Sequence, residues 1–195
     1  MARAPVYDDD LRDRLVSRAM DVVASSGAEG LSLRALAASE GTTTTAIYTL
    51  FGSKEFLLGS VFERIFAMIV DVQDSVALTG SARDDILALC LAYWQWGVDN
   101  PRLYALVFHG AASGGATGVE HLMRRMREDD PIGRAVRRGV ENGELVGDPF
   151  VLTVSFWLIA HGASSLWASL PAGASLTWSI REPLEVLFDG CAPAR

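Results

Sequence analysis

The sequence predicts an all-α fold of about nine helices, and three observations lead to it. Apolar residues recur at three- and four-residue spacing through most of the chain, the pattern of amphipathic helices. Strand-type alternation is scarce, and the breaks between periodic segments fall on Gly, Pro and Ser. Half of the 195 residues are hydrophobic, and a chain of this length can bury about 70% of its extended surface. A core therefore forms without disulfide or metal staples.

The segment 8–26 opens on Asp8, Asp9 and Asp10, which favour a helix N-terminus. Leu11, Leu15, Val16, Ala19, Val22 and Val23 then mark one helical face, and Gly27 ends it. Two short helices follow over 32–39 and 43–50, separated by Glu40-Gly41-Thr42. Ser53 caps a longer helix running to about Val76. Gly80-Ser81 restarts a helix to about Val98, and Asn100-Pro101 opens another to about Gly110. Residues 111–118 hold three glycines and predict a loop. A basic segment, 119–127, and a helix over 132–142 come next. Asp148-Pro149 starts a long apolar helix to about Leu170, and Pro171 to Gly173 make a turn. The last helix ends near Gly190; a Ser179…Glu182 capping box precedes Pro183, which otherwise kinks the helix.

Composition excludes several classes. High apolar content with modest charge excludes a disordered chain. Cys90 and Cys191 are too far apart in sequence to read as a disulfide scaffold, and the apolar run around Cys90 suits a reduced, buried thiol. The opening MARAPVYDDD has no apolar core of a secretory signal, so a cytoplasmic location is expected. Pro149 to Ile180 contains no Asp, Glu, Lys or Arg. Its length would span a bilayer, but its Thr, Ser and His and the lack of a close basic flank point to a buried helix and no membrane. No zinc, P-loop or serine-nucleophile motif is present, and His109, His121 and His161 have no sequence-adjacent partners. No enzyme, metal or cofactor is expected. The net charge of −7 argues at first sight against nucleic acid.

The short helices change that reading. Ala37 and Gly41 lie four apart, with Leu36, Ile47 and Leu50 placed to hold a second helix on the first. A helix-turn-helix needs a small residue at the helix contact and Gly where the turn takes a left-handed backbone. The second helix would present Thr43, Thr44, Thr45, Tyr48 and Thr49, whose hydroxyls can meet phosphates or base edges. An ordinary helical hairpin with a polar face fits the same spacing. The run Ile47-Tyr48-Thr49-Leu50-Phe51-Gly52-Ser53-Lys54-Glu55-Phe56-Leu57-Leu58 resembles the signature of the tetracycline-repressor (TetR/AcrR) family of bacterial regulators. The resemblance covers residues 8 to about 60. It implies that Tyr48 contacts DNA and that Lys54 meets a phosphate from a helix N-terminus. It also makes Ser32 a capping hydroxyl and turns Arg34 toward backbone or bases. Glu40 stands where the family has a small apolar residue, so its carboxylate either points away or weakens binding. Thr42 replaces the usual Val, and Leu50 replaces a His or Tyr that contacts phosphate.

The segment Phe156-Trp157-Leu158-Ile159-Ala160-His161-Gly162 resembles a Trp-x-x-x-His-Gly class of TetR-type C-terminal domains, and 100–108 the Pro-x-x-Tyr-x-x-x-Phe helix of that class. In the family the last two long helices pair with a second copy. That implies a dimer interface through Leu158, Leu166, Trp167, Leu170, Leu184, Leu187 and Phe188. Leu87, Leu91, Trp94, Tyr104, Phe108, His109, Trp157 and His161 are candidates for an apolar effector pocket, although such a stripe serves equally as core. Gly162 would allow a helix to approach closely. The arginines at 124, 125, 127, 134, 137 and 138 alternate with acids and suit a solvated face.

The expectation is a homodimeric DNA-binding regulator. Residues 1–52 form the helix-turn-helix domain, and 53–195 bind a small molecule and dimerise. Its partners are a pseudo-palindromic operator in double-stranded DNA and an apolar or aromatic effector that releases it as a repressor. The competing reading is a helical small-molecule-binding or interaction protein whose DNA binding is weak or lost. Residues 1–60 carry six basic and eight acidic side chains, so a few positioned donors would have to suffice.

Overall fold

A computed structural model describes residues 9–109, 130–170 and 178–193. Among these residues there are nine α-helices, one short 3-10 turn and no strand. The helices are α1 (Asp9–Ser26), α2 (Leu33–Ser39), α3 (Thr44–Phe51), α4 (Lys54–Asp74), α5 (Ala82–Asp99), α6 (Pro101–His109), α7 (Pro131–Glu141), α8 (Pro149–Ala168) and α9 (Arg181–Cys191). The 3-10 turn, Ala28–Gly30, follows α1 and was not expected. The glycine loop at 111–118, the basic segment at 119–127 with His121, and the turn at 171–173 lie outside the described residues.

Most helices begin as the sequence dictates. Ser32, Thr43, Ser53, Ser81, Asp130 and Asp148 each accept a hydrogen bond from the backbone N–H three residues on. Proline occupies the first position of α6, α7 and α8, where its missing N–H costs nothing. The last helix differs. It starts at Arg181, Ser179 Oγ accepts from the Arg181 N–H instead, and Pro183 sits within its first turn.

The chain forms two compact units, Met1–Ala67 with Arg102–Gly115, and Met68–Pro101 with Ala116–Arg195. The division falls inside α4, past the boundary expected at residue 52. The reason is that the first half of α4 is tied to α1: Arg12 donates to Ser60 Oγ at 3.0 Å and Arg64 pairs with Asp13 at 3.1 Å. The Arg12 guanidinium also lies over the Phe51 ring. Leu15, Val16, Ala19 and Val23 of α1 are buried in the first unit, with Leu36, Ala37, Ala46 and Ile47 of the helix pair and Leu57, Val61 and Ile65 of α4. Arg102 at the start of α6 donates to the carbonyls of Ala24 and Ser25 at the end of α1.

In the second unit α5, α7 and α8 pack on one another, and α9 packs on α5 and α8. Gly139 permits the α5–α7 approach, because a Cβ there would lie 2.6 Å from the Ala82 Cβ. A buried carboxylate, Asp85, joins three segments. It accepts from Thr79 N (2.6 Å), Thr79 Oγ1 (2.9 Å), Gly80 N (3.0 Å) and Arg138 (2.5 Å). Burial pushes its pKa up, but these donors prevail and hold it below the ordinary value. Gln73, also buried, donates to the Leu89 carbonyl.

Helix α8 is long and apolar enough to cross a membrane by length and composition, yet Leu152, Phe156, Trp157, Ala160 and Ala163 are buried within the unit. Its hydroxyls turn back on the helix: Thr153, Ser155, Ser164 and Ser169 each donate to a carbonyl four residues earlier. That satisfies these four within the helix. Cys90 and Cys191 are free and buried, as expected for Cys90.

Candidate nucleic-acid interface

The turn between α2 and α3 is built by local chemistry. Gly41 has φ +64°, a conformation that glycine alone adopts at no steric cost. Thr42 N donates to the Ala37 carbonyl, closing the end of α2. Leu36, Ala37, Ala46 and Ile47 are buried where the two helices pack. Gly52, at φ +78°, ends α3, and Ser53 starts α4.

The predicted contact residues divide into two groups. Ser32 and Thr43 cap α2 and α3 with their hydroxyls, and Thr49 Oγ1 donates to the Thr45 carbonyl. These three have structural duties. Arg34, Thr45 and Tyr48 face solvent, Tyr48 with 53% of its surface exposed, which excludes a core tyrosine. Thr44 is half-buried on the first turn of α3. Lys54, half-buried, is the first residue of α4, at the end of the helix that carries free N–H groups and the positive dipole. Beside it, the Ser53 hydroxyl and a backbone amide hold the Glu55 carboxyl below its ordinary pKa.

Charge bookkeeping in the first unit is selective. Arg14 pairs with Asp10 and Glu40, Arg18 with Asp21, and Arg64 with Asp13. Arg12 and Arg102 bond to a hydroxyl and to carbonyls. Among the described residues, Arg34 and Lys54 have no ion pair, and both belong to the helix-turn-helix and its flank. Glu40, the acidic departure in the turn, is largely covered, its side chain 17% exposed and 3.3 Å from Arg14 Nε. Sequence reasoning missed Arg14. A largely covered carboxylate in such a turn signals that a cation is needed, but not which one. Leu50 is half-buried and offers no polar group.

The candidates for an effector pocket fall in both units. Tyr104 and Phe108 belong to the first unit, where their rings lie 4.6 Å apart and Tyr104 is fully buried. His109 ends α6, and its side chain lies outside the described residues. In the second unit Leu87 is buried and Leu91 half-buried. Trp157 stacks on His161 (4.4 Å between centroids), and the Tyr93 hydroxyl lies 3.3 Å from His161 Nδ1. Among the described candidates, Trp94 lines a cavity of about 260 Å³ bounded also by Ala163, Trp167, Trp178, Ser179 and Ile180. Trp178 was missed because no helical spacing links it to Trp94 or Trp167.

The residues chosen for a dimer interface also separate. Leu158 and Leu166 are exposed on α8, with Val151 on the same helix and Val186 on α9. Trp167, Leu170 and Leu187 are half-buried. Leu184 and Phe188 are a correction: both are core residues of the single chain. Phe188 packs against Phe156 at 4.6 Å and lies under the Arg83 guanidinium, which pairs with Asp189. A helical face cannot bury the same side chains twice. No described atom lies within 4 Å of a Cβ built on Gly162, which faces outward. Among the described residues no group of three or more His, Cys, Asp or Glu could hold a metal ion.

Comparison with known proteins converges on one family. Residues 15–61 match the family described as bacterial regulatory proteins, tetR family, and residues 86–189 match the tetracyclin repressor-like C-terminal domain. HTH-type transcriptional regulators of Mycobacterium tuberculosis and Mycobacterium bovis are 28% identical over 112 residues, 54% of this chain. The match spans 48% of their length, about half of those relatives. A structure of a protein with unknown function from Rhodococcus sp. RHA1 superposes with a TM-score of 0.71 at 25% identity, covering 98% of this chain and 100% of that one. A transcriptional regulator of the TetR/AcrR family from Thermobifida fusca YX-ER1 superposes at 0.62 with 21% identity, covering 92% and 95%.

Proposed function

The chain belongs to the tetR family of bacterial regulatory proteins, and on that premise we propose that it is a homodimeric repressor that a small molecule releases from a pseudo-palindromic operator. The family consists of transcriptional regulators, not enzymes. One observation carries the DNA-reading part: Tyr48 projects from α3 into solvent with 53% of its surface exposed, in the helix that follows the Gly41 turn. The covered Glu40–Arg14 pair supports the same reading, since it removes the repulsion that an acid in the turn would exert on phosphate.

Two copies follow from symmetry and from surface. A pseudo-palindrome needs two recognition helices about one DNA turn apart. Val151, Leu158 and Leu166 fall along one side of α8 without a charged neighbour on that helix, and water is a poor partner for such a stripe. Effector release is a population shift: a ligand that favours the conformer with wrongly spaced recognition helices lowers operator affinity by its differential affinity for the two states. A cytoplasmic location follows from the DNA target.

The test is a gel shift of the purified chain on DNA upstream of its own gene, repeated between 50 and 200 mM salt, with sedimentation to read the oligomer. A retarded dimer complex that weakens about tenfold or more over that range is expected for a few phosphate contacts per copy. Salt-independent binding would overturn the few-phosphate picture, and no binding to any fragment would overturn the regulator.

A further inference from the structure

The outward side of α3 has an unusual chemistry. Ala46, Ile47 and Phe51 are buried in the first unit, and Thr45, Tyr48 and Thr49 are exposed. Spaced three and four apart, these last three share one face of the helix. From Gly41 through Ser53 the sequence holds no Arg, Lys, His, Asn, Gln, Asp or Glu. The hydrogen bonds that identify a base pair in the major groove come mostly from such side chains: Arg or Lys on guanine, Asn or Gln on adenine, Asp or Glu on cytosine. Helix α3 has none of them to offer.

What remains is hydroxyl and hydrocarbon. A hydroxyl both donates and accepts, so it serves any base pair and separates none. Two of the hydroxyls are also engaged within the helix. Thr43 Oγ1 accepts from the Ala46 N–H at 3.2 Å, and Thr49 Oγ1 gives its proton to the Thr45 carbonyl at 2.9 Å. With its hydroxyl so held, Thr49 has a methyl group left to offer. Tyr48, half of it in water, adds an aromatic ring. Apolar groups in water gain by meeting an apolar partner, and the partner that the major groove displays is the C5-methyl of thymine. A G·C pair has no such group, and its donors and acceptors would lose water to methyl and ring without replacement.

We infer that α3 selects thymine by its methyl group: Thr45, Tyr48 and Thr49 pack on the C5-methyls of T·A pairs, so each operator half-site carries thymines where this helix lies. The inference rests on the DNA-binding reading above and deepens it. A guanine in the half-site is then read from outside α3, and Arg34, exposed on α2, is a side chain of the right shape.

The test uses the full chain and a duplex DNA library with a randomised core. Bound duplexes are selected, and the selected sequence is remade with deoxyuridine in place of thymidine, which removes the methyl and keeps the pairing. The selected half-sites are expected to share thymines at fixed positions. Uracil at one such position should weaken binding about fourfold, the effect of one buried methyl group, and full replacement at least tenfold. The dependence of affinity on salt should stay as it is, because no phosphate contact changes. Thr45→Ser and Thr49→Ser keep the hydroxyl and remove the protein's methyl. Each should bind the thymine duplex about fourfold more weakly and the uracil duplex as well as the unaltered chain does. Half-sites without shared thymines, a change below twofold on full replacement, or serine variants that lose equally on both duplexes overturn the inference and leave the regulator standing. Retention of no duplex at all overturns the regulator, and the inference with it.

Discussion

The first unit and the second use their polar side chains in opposite ways. Around α2 and α3 they act locally: Ser32, Thr43 and Ser53 each bond three residues ahead, and the side chains left over, Arg34 and Tyr48, face water. In the second unit the important polar groups act across the fold. Asp85 ties residues 79 and 80 to α7, and Glu144 accepts from Ala82 N at the start of α5, 62 residues away. The difference teaches where function and stability are separable. Exposed donors on a locally built helix pair can be removed without loss of fold, whereas a buried acceptor holding several segments cannot.

The largest effect is therefore expected at Asp85. Asp85→Ala would strand the Arg138 guanidinium and the N–H groups of Thr79 and Gly80, costing about 3–5 kcal/mol of stability, measured by urea denaturation. A loss below about 1 kcal/mol would mean the carboxylate is not the joint described. Next comes Tyr48→Ala combined with Lys54→Ala. Removing one base-side contact and one phosphate contact in each copy should weaken operator binding by at least a hundredfold, with the urea midpoint and the dimer unchanged. If stability falls along with binding, the separation between the units fails.

A smaller effect concerns pH. Burial raises the pKa of Asp130, the cap of α7, to about 6, against the pull of Gly133 N and Arg134. Between about pH 4 and 6 the folded chain keeps a proton that the unfolded chain has lost, so stability falls as pH rises through that window and levels off above it. Asp130→Asn retains the cap and should flatten that slope; an unchanged pH profile would remove Asp130 as its source. The smallest change is expected for Glu40→Gln. Because Arg14 already neutralises this carboxylate, operator affinity should shift less than threefold in a gel shift. A tenfold gain would show that Glu40 faces the DNA after all.

Much of the first unit was legible because its information is local. Gly41 and Gly52 mark backbone turns with positive φ, Ser53 marks a cap, and Ala37 and Ile47 mark the buried side of a helix pair. Each of these follows from the residue and its near neighbours. The helix start at Asp148-Pro149 was readable for the same reason. The cavity of the second unit and the exposed apolar side of α8 were not. Helical spacing marks Trp94, Trp157, Leu158 and Phe188 as apolar, but it does not say which of several neighbours each will meet. Phe188, expected at an interface, packs against Phe156.

By itself, then, the sequence determined the all-helical class, the position of nearly every helix start and the helix-turn-helix. These depend on backbone propensity, capping and periodicity over a few turns. Only the tertiary structure decided that Arg14 covers Glu40, that Asp85 is the joint of the second unit, and that Trp94, Trp167 and Trp178 share a cavity. Those pairings join residues tens of positions apart, and their energies depend on burial, which no local pattern specifies.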